Sequence, residues 1–238
     1  NFGKGMAYAC RQQQLPLTVF AAETANPLKL ERMRQLGAEV KLQSTDFDTA
    51  KQAAKTFAMA SNHTFVEDGR DADISIGAGT IGLELSRYPT PIDVLLIPVG
   101  NGALINGIGS WYKSTSSATR IIGVVAEGAP AMDKSWRQQR VVTTEAVDTI
   151  ADGIGVRVPV PEALDVMATA VDDVLQVSDA ATLKAMRLIH QLAGIVLEPA
   201  GAVGVAATMV YRAKFSDKTL GTVLCGSNLT ATQMEKWL

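Results

Sequence analysis

Cysteine is scarce. The chain of 238 residues carries two, Cys10 and Cys225, near opposite ends. Such a pair is no disulfide framework, and without a CxxC spacing it does not suggest a zinc site. A reducing, cytoplasmic setting is therefore the expectation. Aromatic residues make up only 5%, too few to stack the bases of a single strand. Positive charge is not in excess: 22 Lys and Arg face 24 Asp and Glu, a net charge of −2. That argues against nucleic acid or an anionic membrane as the main partner, since both need a basic face. There are two histidines, His63 and His190, and no Ser/His/Asp arrangement can be read around them. Residue 1 is Asn, not Met, and no charged-then-apolar leader follows, so a trimmed or partial chain is expected. The longest weakly charged stretch, 194–211, is interrupted by Glu198 and Pro199 and falls short of the roughly 20 apolar residues of a membrane span. A buried helix packed on a sheet is the expectation there.

What is present is an ordinary globular composition, 47% hydrophobic and 19% charged. Short β-branched runs alternate with amphipathic ones. Residues 17–22, 38–42, 64–67, 93–99, 120–126, 171–177 and 222–225 read as strands. Residues 1–13, 27–37, 46–61, 79–88, 103–113 and 179–191 read as helices, with Asn1 placed to cap the first and Pro27 in the first turn of the second. The apolar runs at 93–99 and 120–126 mark strands buried on both faces. This alternation predicts an α/β fold, with mostly parallel sheets and helices on both faces. Ligands of such sheets bind in loops beyond the carboxyl ends of the strands. A Gly- and Asp-rich stretch at 69–76 predicts a boundary between a small domain, 1–70, and a larger one, 71–238.

Five segments could carry chemistry. Pro98-Val99-Gly100-Asn101-Gly102-Ala103 follows a buried strand and opens a helix, where main-chain N–H groups can cradle a phosphate. A tight turn fits the same residues. The segment has no GKS/T, and its glycines do not keep the dinucleotide spacing, which weighs against a nicotinamide-dependent enzyme. Leu224-Cys225-Gly226-Ser227-Asn228 ends another strand; its thiol could meet a ligand or lie in the core. Glu127 and Asp133, with the Ala131 carbonyl between them, could face one hard cation or face water. Asp152-Gly153 in 149–155 and Glu198 in 197–202 each set one carboxylate among small residues.

In order along nearly the whole chain, these segments resemble the fold-type II pyridoxal-phosphate enzymes, and most closely the serine/threonine dehydratase and serine racemase group. NFGKGMAYA at 1–9 is similar to the second half of the family's Ser-x-Gly-Asn-x-x-x-Gly segment. GAGTIGLEL at 77–85 is similar to its Gly-Gln-Gly-Thr helix start, and PVGNGALINGIG at 98–109 to its glycine-rich phosphate loop. TIADGIGV, LEPAGAVGVAA and LCGSN complete the series. The resemblance implies that Asn1 meets the cofactor's phenolic oxygen and that Gly100, Asn101, Gly102 and Ala103 hold its phosphate. It implies that Gly153 lies against the cofactor and that Cys225 faces the pyridine nitrogen, where a neutral partner suits β-elimination. It also implies a Mg2+ or Ca2+ site at Glu127, Ala131 and Asp133.

Three departures stand out: Asn101 and Ala103 where many relatives have Gly, Ala78 in place of Gln, and the Schiff-base lysine, which the family carries upstream of the Asn. Lys4 stands where relatives have a non-catalytic residue. The resemblance implies an ammonia-lyase that removes water from L-threonine or L-serine, with the lysine outside this chain, working as a homo-oligomer on a small amino acid. The alternatives are a lysine-less relative acting as a binding or partner protein, or a racemase or diaminopropionate ammonia-lyase of the same family.

Overall fold

The computed structural model describes residues 1–115 and 118–238, which form two compact units. One comprises Asn1–Val66 with Asn228–Thr230, the other Glu67–Ser227 with Ala231–Leu238.

The first unit is built from helix α1 (Phe2–Gln12), strand β1 (Thr18–Ala21), helix α2 (Pro27–Gln35), strand β2 (Glu39–Leu42) and helix α3 (Phe47–Ala60). β1 and β2 pair in parallel, with Thr18 opposite Glu39. Both later helices start on side-chain caps: Asn26 accepts from Leu28 N–H at 2.9 Å, and Asp46 from Thr49 N–H at 2.9 Å. Ala7, Leu30, Met33 and Ala38 form the buried centre. Asn1 stands at the N-cap of α1, but its side chain makes no capping bond to the helix. Its carboxamide is engaged elsewhere, as described below.

The second unit holds α4 (Ala72–Leu85), β3 (Val94–Pro98), α5 (Ala103–Thr115), β4 (Arg120–Ala126), α6 (Ala131–Gln138), α7 (Pro161–Ala170), β5 (Asp173–Val177), α8 (Asp179–Ala193), α9 (Pro199–Val210), β6 (Leu220–Thr222) and α10 (Ala231–Trp237). The sheet runs β5-β4-β3-β6 with every pair parallel. All of β3 is buried, and β4 is buried after Arg120, as continuous apolar runs require. Leu95, Ile97 and Ile121 pack with Ile105 and Ile108 of α5 and Met167 of α7. The small-residue helix α9, expected from its sequence as a buried one, packs against β3, β4 and β5. Among the described residues no helix is long and apolar enough to cross a membrane.

Three expectations need correction. Residues 64–67 form no strand, and they pair with none among the described residues. The helix expected at 79–88 begins at Ala72, so GAGTIGLEL lies inside α4 and not at its start. The last strand is Leu220–Thr222, half-buried, and Cys225 lies beyond it. Gly226, one residue past the thiol, takes a φ of +79°, so the strand does not resume there.

β5 opens on a charged clamp. Lys214 Nζ lies 2.6 Å from Asp173 Oδ2, Val174 N–H donates to Oδ1 at 2.9 Å, and the Arg137 guanidinium stands 3.6 Å away. Burial disfavours the Asp173 charge, but the hydrogen bond and charge of Lys214, the Val174 amide and Arg137 outweigh it and hold its pKa below the ordinary 3.8. A lowered folded-state pKa gives stability that is complete above the unfolded value and is lost as pH falls through the folded one. Denaturant melts below pH 4 or so should therefore lose stability more steeply with acid in the native protein than in Asp173→Asn. Equal acid slopes would show that the clamp contributes nothing.

Candidate functional site

In the second unit, the loop between β3 and α5 contains Gly100, Asn101 and Gly102, and Ala103 begins the helix. Among the described residues the main-chain N–H groups of these four donate to no main-chain carbonyl. A helix N-terminus with unsatisfied N–H groups is an anion site by construction. Gly102 is the loop's one residue with positive φ, +97°; Asn101 and Ala103 adopt ordinary angles. The two departures from glycine therefore cost no backbone strain, since the left-handed position is still a glycine.

Asn101 has a further use. It is 6% exposed, and its Nδ2 donates to Asp68 Oδ1 at 2.8 Å. Gly69 presses against the same residue: a Cβ there would lie 2.2 Å from the Asn101 carbonyl oxygen. The phosphate-type loop is thus bolted to the turn at 67–71, which Asp71 closes by accepting from Glu67 N–H at 2.6 Å. From the sequence, Gly69 signalled only a boundary and Asp68 was not singled out; Asn101 in place of glycine was the available clue that a side chain is needed there.

Gly153 sits in a short 3-10 turn, Asp152–Ile154, directly beside the loop. A Cβ on Gly100 would lie 3.0 Å from the Gly153 carbonyl oxygen, and one on Gly153 would lie 3.1 Å from Ala200 Cβ at the start of α9. The turn is held by Asp179, a residue the sequence did not single out. Its carboxylate accepts from Thr149 Oγ1 at 2.5 Å and from Ile150 N–H at 2.9 Å. Cys225 closes the group from the other side. A Cβ on Gly201 would lie 2.1 Å from the Cys225 carbonyl oxygen, and Glu198 N–H donates to Gly226 O at 3.0 Å. Cys225 is half-buried and in no disulfide. Glu198 is 2% exposed at the N-cap of α9. The glycine loop thus abuts the Gly153 turn, that turn abuts the start of α9, and α9 abuts the Cys225 segment.

In the first unit, Asn1 Oδ1 accepts from Asn228 Nδ2 at 2.9 Å. Asn228 is fixed in turn: Lys4 Nζ donates to its Oδ1 and Asn26 Nδ2 to its carbonyl, both at 2.5 Å. Lys4 thus has a structural engagement. His63 packs edge-on against Phe57, with ring centroids 5.7 Å apart.

In the expected metal triplet, Asp133 already faces a cation of the protein itself. Glu127 is exposed, while Asp133 is 4% exposed, its Oδ2 hydrogen-bonded and its buried Oδ1 held only by an ion pair. Oδ1 lies 2.7 Å from Arg137 Nε, and Oδ2 accepts from Gln176 Nε2 at 2.6 Å. Among the described residues no group of three His, Cys, Asp or Glu could hold a metal ion. A guanidinium already neutralises the carboxylate, so the donor set does not fit Mg2+ or Ca2+ as it stands.

The sequence pattern of the family described as pyridoxal-phosphate dependent enzyme matches residues 1–226. The chain belongs to this family. L-threonine ammonia-lyase of Thermotoga maritima is 32% identical over 99% of the chain and 59% of its own length. L-threonine ammonia-lyase of Geobacter sulfurreducens is 33% identical over 96% of the chain and 57% of its own length. The chain thus spans about six-tenths of these relatives. Among solved structures, the processed form of threonine deaminase isoform 2 from Solanum lycopersicum superposes with a TM-score of 0.91 at 27% identity, over 99% of this chain and 66% of its own. The fold is that of the fold-type II enzymes.

The second unit fits the family's cofactor on its own geometry. It offers unsatisfied amides at a helix N-terminus, and main-chain walls so close that added Cβ atoms would fill them. Gly201→Ala drives a Cβ into the Cys225 main chain, and overpacking of this kind costs about 1–3 kcal/mol. We expect weaker retention of pyridoxal phosphate on dialysis together with a lower Tm; unchanged retention would show that the Cys225 segment does not border the cofactor. Asp179→Ala removes two anchors of the Gly153 turn, and hydrogen bonds to a charged acceptor are worth roughly 1.5–3 kcal/mol each. Hydrogen exchange at 149–155 should rise, and unchanged protection there would refute the anchoring role.

Proposed function

We propose that this chain is the cofactor-holding part of an ammonia-lyase that removes water from L-threonine or L-serine, giving a 2-oxo acid and ammonia. The observation that carries the reading is the contact of the loop with the Gly153 turn, of that turn with the start of α9, and of α9 with the Cys225 segment. The substrate class rests on the threonine ammonia-lyases to which the chain is similar along almost its full length. When bound, pyridoxal phosphate supplies an electron sink at the substrate's α-carbon, which lets the α-proton and the neighbouring hydroxyl depart.

The chain's own residues bind and orient. The N–H groups of Gly100, Asn101, Gly102 and Ala103 take the phosphate, helped by the partial positive charge of the α5 N-terminus. The Asn101–Asp68 bond keeps those amides in place before the ligand arrives, so less ordering is needed on binding. Gly153 admits the ring because it carries no side chain. Cys225 faces the ring nitrogen with a neutral thiol, which brings no carboxylate charge to draw a proton there. Asn1 presents the nitrogen end of its carboxamide to the phenolic oxygen. That polarity follows from the Asn228 bond, which claims the oxygen end. The lysine that moves the α-proton belongs to sequence before Asn1. Self-association and a cytoplasmic setting are part of the same reading; exposed Leu192 near the end of α8 and Ile195 just beyond it support the first, and two cysteines outside any disulfide the second.

The test uses the complete polypeptide that carries this chain. With L-threonine or L-serine it should release 2-oxo acid and ammonia in equal amounts. Borohydride should fix the cofactor to a lysine N-terminal to Asn1, located by peptide mass. No 2-oxo acid and no adduct would overturn the reading, and an adduct on Lys4 would overturn the placement of the lysine.

A further inference from the structure

Asp133 lies in the first turn of α6, nearly out of reach of water, and a carboxylate so placed needs a counter-charge. Arg137, one helical turn on, supplies it through Nε at 2.7 Å from Oδ1. The same guanidinium donates through Nη2 to the Val174 carbonyl at 2.5 Å and stands 3.6 Å from Asp173 Oδ1. Two carboxylates and a main-chain carbonyl therefore surround it. That is the kind of oxygen set a hard divalent cation takes.

Local charge is already balanced. Asp133 and Asp173 contribute two negative charges; Arg137 and Lys214 contribute two positive ones. A divalent cation arriving here would have to expel the guanidinium, or leave a surplus of positive charge. Arg137 also has structural reach, since its contacts join α6 to the first two residues of β5.

We propose that Arg137 is the resident cation of this site: its guanidinium takes the place beside Asp133 that a divalent ion would otherwise fill, binds α6 to β5, and leaves the protein with no divalent-cation requirement there. The claim concerns a charge built into the chain and stands apart from the proposed lyase activity.

The test is thermal unfolding of the purified protein in EDTA, in millimolar Mg2+ and in millimolar Ca2+, with terbium emission sensitised by the neighbouring Trp136 as a second readout. The native protein should show one Tm in all three conditions and no saturable terbium signal. Arg137→Ala should lose about 4 °C or more, recover part of that loss in Ca2+ or Mg2+, and gain a saturable terbium signal. Arg137→Lys, which keeps the charge but not the planar fork, should lie between the two and stay insensitive to divalent ions. A saturable Ca2+ or Mg2+ stabilisation of the native protein overturns the proposal, as does an Arg137→Ala protein as stable as the native one. An Arg137→Ala protein that is destabilised yet indifferent to divalent ions also overturns it. If Arg137→Ala does not fold, the native and Arg137→Lys titrations decide the matter.

Discussion

Main chain pressed against main chain is the constraint on which the second unit depends. At the carboxyl ends of β3 and β6, backbone segments approach so closely that a single methyl group on Gly100 or Gly201 would strike a carbonyl oxygen. Close-packed interiors leave little room to absorb such an intrusion. Among the described residues the N–H groups of 100–103 have no main-chain acceptor. A surface made this way is chemically uniform: it offers donors at fixed positions and almost no side-chain freedom. An anion that fits it gives up little entropy to the protein, because the donors do not need to be gathered first.

Such a surface must be held from behind, and acidic side chains do much of that work. Asp179 grips the Gly153 turn, and Asp68 takes the side chain of Asn101. Charge-assisted hydrogen bonds of this sort are stronger than neutral ones and fix direction as well as distance. Asp133 shows the same habit away from the cradle, where its partners are Arg137 and Gln176. Carboxylates in this chain thus tend to be brackets. A pair of acids near a turn, read in one dimension, resembles a cation site; in three dimensions a guanidinium one helical turn away had already taken the position.

The parallel sheet was legible because β3 and β4 are buried on both faces and their sequences are apolar without interruption. The helices α2 and α3 were legible because their caps, Asn26 and Asp46, lie next to the bonds they make. What failed depended on contacts far apart in sequence. The start of α4 was placed too late because Asp71 turns its carboxylate to Glu67 and Arg70, leaving no local capping bond to read. The last strand was set two to three residues late because apolar content suggested burial, whereas Leu220–Thr222 is only half-buried. Within the cradle, the glycines and the cysteine could be named from sequence order. Asp68 and Asp179 could not, because their partners lie 33 and 29–30 positions away.

Asn1 carries the same lesson into the first unit. A sequence rule assigns an asparagine before a helix to capping, and Asn1 does stand at the N-cap of α1. Its side chain instead spends its oxygen on Asn228, whose own oxygen is held by the ammonium of Lys4. An ammonium can only donate, so Asn228 must turn its oxygen to Lys4 and its nitrogen to Asn1. Asn1 must then accept with its oxygen, and its nitrogen faces the other way. The lysine at position 4, which in sequence looked like a misplaced candidate for chemistry, accounts in this way for the orientation of an amide two side chains distant.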